Sequence, residues 1–159
     1  MKKETIRNLI RWMAQRHDIE LDRIRVGSNQ KRRYGSAHWR WYFDGREEFS
    51  ISISNYTTDI EGEDGWNTHR KINILGTIVH EFAHLTLYSS GVRNACHGSA
   101  FRKEMHKLIV EDWSALVAMY NLLEGDSLSD DFELLKSKTV DRSFDPSVLD
   151  SFCVSPEEI

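Results

Sequence analysis

The stretch Ile74–Tyr88, ILGTIVHEFAHLTLY, constrains the fold more than any other part of the chain. Leu75, Ile78, Val79, Phe82 and Leu85 recur at helical spacing, which predicts a helix with a broad apolar face and mostly buried sides. The same turns carry His80, Glu81 and His84. Residues four apart on a helix differ by about 400° of rotation and about 6 Å of rise, so the two imidazoles point the same way. Both can reach one Zn2+ at about 2.0–2.1 Å. Glu81 stands about 100° round from His80, where it can serve a water beside the ion without being a ligand. An isolated buried histidine is ordinarily a hydrogen-bonded core residue. Two in register, with a carboxylate beside them, are costly to bury unpaired, and a shared cation removes that cost.

A catalytic zinc takes a third protein ligand and keeps one position open. The extended pattern H-E-x-x-H-x-x-G-x-x-H fails here, because Leu87 and Ser90 stand at its Gly and third His positions. Glu104 or Glu111, on a later helix, are candidates. His97 is the better one. It follows the helix stop at Gly91 and precedes Gly98, and a loop of about a dozen residues can return it to the metal. Cys96 and Cys153 are too few for a disulfide framework or a zinc ribbon. Cys96 reads as a small buried residue, and Cys153 as part of a passive tail.

The remaining pattern predicts an α+β fold. A small antiparallel sheet packs on the H-E-x-x-H helix, and other helices flank it. Residues 4–17 place Ile6, Leu9, Ile10 and Met13 at helical spacing. A basic connection, VGSNQKRRYGS, follows. Ala37, Trp39, Trp41 and Phe43 alternate with polar residues, as do Phe49, Ile51 and Ile53, so both runs read as strands joined at Asp44-Gly45. A two-residue loop would put the tryptophans and the isoleucines on opposite faces. A one-sided core therefore demands an odd loop, of three residues with a bulge. Trp39 and Trp41 are then expected to enter the core. Residues 55–66 read as an acidic surface loop, with Asn67 or Thr68 capping the main helix, which should run to about Ser90. Phe101, Met105, Leu108 and Ile109 mark a further helix, which Trp113, Leu116, Val117 and Tyr120 continue or restart. The folded domain is expected over 1–124, with an acidic tail over 125–159 that packs on the domain or is partly disordered.

Net charge is −4, but it divides unevenly: residues 1–46 carry 12 Lys+Arg against 5 Asp+Glu, and the rest 9 against 20. The basic front half suits a polyanion partner. In KRRYGSAHWRWY, Lys31, Arg32 and Arg33 are candidate phosphate contacts, to DNA among others, and interleaved cations and aromatics suit single-stranded nucleic acid. His17, His38 and His69 read as incidental. No apolar run approaches the roughly 18 residues of a membrane span, and the charged start MKKETIRNLIRWM lacks a signal-peptide core. A cytoplasmic protein is expected. Nothing in the sequence fixes the oligomeric state.

The segment TIVHEFAHLTLYSSGVRNACHGSAFRKEM resembles the core of SprT-like metallopeptidases: H-E-x-x-H, twelve residues, then H-G-x-x-F/W. The matching residues are His80, Glu81, His84, His97, Gly98 and Phe101. QKRRYGSAHWR and FSISIS resemble the family's basic strand and the strand before its active-site helix, so the likeness spans roughly residues 5–120. It implies a zincin-like fold, Zn2+ held by His80, His84 and His97, Glu81 as general base, and hydrolysis of a protein or peptide substrate. In the Spartan branch it further implies action on proteins crosslinked to DNA. Cys153 has no partners for the zinc ribbon that many members carry. Tyr88, Arg93 and His106 are candidate second oxyanion donors. The competing expectation is a DNA-associated binding module whose zinc is structural or vestigial. Small-molecule hydrolysis has no phosphate-binding Gly loop to support it.

Overall fold

Ile6, Leu9, Ile10 and Met13 line one side of helix α1 (Lys3–Arg16), and all four are fully buried. In the computed structural model of the protein, the described residues are 1–28, 34–54, 64–94 and 96–131, without the side chains of 64–70. Lys31, Arg32, Arg33, residues 55–63 and the tail from 132, with Cys153, lie outside them.

The fold is α+β, but its sheet is mixed rather than antiparallel. Strands β1 (Arg23–Ser28), β2 (Gly35–Trp41) and β3 (Glu47–Ser54) lie in the order β1-β3-β2, with β1 parallel and β2 antiparallel to β3. The segment Val26–Ser28, expected to be connection, is the end of β1. Its pairing shifts register between Val26 and Ser28, where Gly27 takes φ +87°. Ile24 and Val26 join Ile51 and Ile53 on the core face, and Arg23 and Arg25 point the other way with Ser50 and Ser52.

The odd hairpin loop is present. Trp39 pairs with Phe49 and Ala37 with Ile51, so the apolar sets share a face. Tyr42 N–H donates to the Arg46 carbonyl and Gly45 N–H to that of Tyr42, leaving Phe43, Asp44 and Gly45 as the loop. Gly45 sits at φ +84°, the left-handed conformation that closes a three-residue turn with a bulge. Neither tryptophan joins the buried core: Trp39 is only partly buried, Trp41 is 50% exposed, and Phe43 is 99% exposed.

Helix α2 (Asp64–Ser89) starts earlier than the expected cap, so Asp64, Gly65 and Trp66 are helical rather than loop. It packs on β2 and β3 on one side and on α1 and α3 (Ser99–Glu124) on the other. That double contact explains why its apolar residues run nearly all round. Its end is a Schellman motif: Gly91 (φ +91°) N–H donates to the Tyr88 carbonyl, and Val92 N–H to that of Leu87. α3 is one continuous helix through Trp113, and it stops at Gly125 (φ +63°).

Two polar networks tie the helices. The Asp112 carboxylate, fully buried on α3, accepts from Arg16 Nε and lies 2.6 Å from His17 Nε2. His17, read as incidental, thus joins the end of α1 to α3. Asp126 accepts from Lys71 Nζ at 2.6 Å and from the Tyr120 hydroxyl, and these hydrogen bonds push its carboxyl down to about 2. Among the described residues, no helix is long and apolar enough to cross a membrane.

Candidate metal centre

His80 and His84 stand one turn apart on α2, as the helical repeat requires. The Schellman turn at Gly91 reverses the chain, and His97 returns just before Gly98, the residue preceding α3. His97 Nε2 lies 3.1 Å from His80 Nε2 and 3.2 Å from His84 Nε2. Ligand nitrogens about 2.0–2.1 Å from a tetrahedral zinc stand about 3.3 Å apart, so the spacing fits such an ion. Hydrogen bonding alone does not account for it. An imidazole nitrogen offers one in-plane position, either proton or lone pair, and cannot serve two neighbours at once. A cation at the centre serves all three. Burial, and then the adjacent His84 and His97, push the His80 imidazolium down to about 3, leaving a neutral ring with its lone pair available.

Among the described residues, the three histidines are the only group of His, Cys, Asp or Glu arranged to hold a metal. Glu104 instead reaches Lys107 at 3.8 Å, and Glu111 offers its backbone carbonyl to Arg16. Cys96 is exposed rather than buried and takes no part in the cluster. His106 is also outside the cluster.

Phe101 lies under the cluster. Its ring centroid is 4.8 Å from His80, 4.4 Å from His84 and 4.8 Å from His97, and the residue is 1% exposed. One buried ring therefore limits the tilt of all three imidazoles. Apolar periodicity marks Phe101 only as core; its place in the H-G-x-x-F pattern is the signal for this second role.

Glu81 is 5% exposed and faces β2. A Cβ on Gly35 would lie 3.0 Å from Glu81 Oε1, 3.0 Å from the Ser52 carbonyl and 2.8 Å from Thr77 Cγ2. Gly35 therefore allows α2 and the Glu81 carboxylate to approach the strand, a role that no sequence pattern announces. Gly35→Ala is expected to lower stability by about 1–3 kcal/mol, the usual cost of overpacking. A fall in the urea midpoint at constant slope checks it. An unchanged midpoint would mean that β2 yields freely.

Tyr88 and Arg93 belong to a stack that runs out from the histidine cluster. Tyr88 lies 6.3 Å from His84 at 21°, Trp39 lies 6.2 Å from Tyr88 at 24°, and the Arg93 guanidinium sits 4.3 Å over Trp39. Arg93 also reaches Glu47 at 3.4 Å. Beside this stack runs a free strand edge. Tyr34 and Tyr42 hold the hydrogen-bonded positions against Ser54 and Arg46. By alternation, Gly35, Ala37, Trp39 and Trp41 turn their backbone groups away from β3. Among the described residues, no strand pairs with that edge.

No family model, no curated protein and no solved structure matches this chain.

Proposed function

We propose that this protein is a zinc-dependent endopeptidase of the SprT-like, zincin kind. The observation that carries the proposal is the convergence of His80, His84 and His97 beside a buried glutamate and a strand edge that no strand among the described residues pairs. A structural zinc site is closed by four protein ligands, whereas three leave a position for chemistry. Zinc, when bound, supplies Lewis acidity that polarises a carbonyl and acidifies water. Glu81 takes the proton from the attacking water and passes it to the leaving amine. The outward backbone groups of β2 hold an extended polypeptide as an added strand, so that a peptide bond lies along α2. Tyr88, stacked on His84, orients that ligand. An unfolded polypeptide suits this edge, because a folded substrate has its backbone groups already paired.

The test is hydrolysis of an unfolded protein by the full chain. Activity is expected with zinc, is lost on chelation and returns when zinc is restored. Protein that takes up zinc yet cuts nothing would leave the alternative, a DNA-associated module with a structural or vestigial site. One observation favours that second reading: the outer face of the sheet is a polar groove of about 690 Å3, where Arg23, Arg25, Arg40 and His38 outnumber the carboxylates Asp22 and Glu48. Its arginines suit phosphates. Steeply salt-dependent binding of single-stranded DNA, without proteolysis, would establish it.

A further inference from the structure

Trp39, Trp41 and Phe43 occupy alternate positions along β2 and its turn, on the face directed toward α2. Only the first is covered. Trp39 lies between Tyr88 and Arg93, level with the last turns of α2. Trp41 and Phe43 run past the helix end and meet edge-on, with ring centroids 5.7 Å apart. They are 50% and 99% exposed. The row thus continues the stack that begins at His84, and it borders the same free edge of β2.

We propose that this aromatic row selects the substrate, by taking apolar side chains of an extended polypeptide paired to β2. The inference rests on the peptidase reading for its substrate and on the strand edge for its geometry. A peptide added to that edge turns alternate side chains to the face that carries Trp39 and Trp41. Those side chains stand directly beside the indoles, where aromatic and aliphatic cross-strand pairs are favourable. Gly35 is level with Glu81 and Trp39 with Tyr88. The residue opposite Ala37 therefore lies nearest the metal, and those opposite Trp39 and Trp41 lie two and four residues away. Apolar residues at those two positions, on one side of the scissile bond, define the preferred site. Segments of this kind are exposed when a protein is unfolded and buried when it is folded.

The experiment compares two peptides that differ only at those positions, one with leucine or phenylalanine and one with serine, using the zinc-loaded full chain. Both cleavage (kcat/KM) and binding of the uncut peptide to the Glu81→Gln variant are measured. Wild type should prefer the apolar peptide by roughly tenfold, the effect of a few well-placed apolar contacts. In Trp41→Ser/Phe43→Ser the preference should fall to about threefold, the share left to the position opposite Trp39, in cleavage and in binding alike. Both side chains are exposed, so their loss leaves the core intact, and an unchanged thermal midpoint verifies this. A preference undiminished in the double variant, or a wild type indifferent to the two peptides, would overturn the inference. Absence of cleavage with the binding preference intact would remove the peptidase reading but retain the selecting surface.

Discussion

Glu81→Gln is expected to reduce hydrolysis of an unfolded polypeptide by about 10²–10⁴-fold, the range contributed by a positioned general base. Zinc uptake should not change. Glu81 stands outside the nitrogen cluster, so its loss leaves the ligand set whole. Glutamine matches glutamate in volume, so the packing against Gly35 is retained, but the amide cannot accept the proton. His97→Ala provides the contrast: it should weaken metal binding and activity together, because two imidazoles on one helix then hold the ion alone. Metal analysis beside a single-turnover assay separates the two. If Glu81→Gln cleaved as fast as wild type with the same metal content, the base would have to be another group. If it lost metal as well, Glu81 would be a ligand and the three-histidine assignment would fail.

The parts of the site legible in sequence were those fixed by a periodicity. A repeat of 3.6 residues sets the phase of His80, Glu81 and His84, whatever the rest of the chain does. A repeat of 2 sets the hairpin parity, because both apolar runs must face one core. The return of His97 to the other two histidines was legible for a related reason: a helix stop and a short return leave few places for the chain to go. The parts that resisted depend on what neighbours what. Strand β1 alternates Arg23-Ile24-Arg25-Val26 and then breaks at Gly27, a signal too short to outweigh its charge and its glycine. Without β1, the central place of β3 and the free edge of β2 are not readable. Trp41 shows the difference between face and burial. Alternation assigns its face correctly, but burial depends on how far the covering helix extends, and α2 ends at Ser89. Gly35 was invisible for the same reason, since its importance lies in Thr77 and Glu81 across the interface.

Arg16→Met is expected to destabilise the protein by about 3–5 kcal/mol, the cost of leaving a buried charge without its partner. The argument turns on an asymmetry in the pair. The Asp112 side chain is 0% exposed, whereas that of Arg16 is 44% exposed. Removing Arg16 strands a carboxylate in the interior with the His17 ring as its remaining side-chain partner among the described residues. Removing the carboxylate instead frees an arginine that already reaches solvent. Asp112→Asn should therefore cost less, about 1–2 kcal/mol for weakened hydrogen bonds. Arg16→Met/Asp112→Leu should recover most of the loss, since apolar side chains of similar size can replace a buried pair without penalty. Thermal unfolding would read the first change as a fall of roughly 6–20 °C in Tm, at about 2–4 °C per kcal/mol for a chain of this size. The cycle is decisive because packing loss predicts the opposite order. If Arg16 served only to cover Trp12, over whose ring its guanidinium sits at 5.6 Å, Arg16→Met would be nearly neutral and the double variant the least stable.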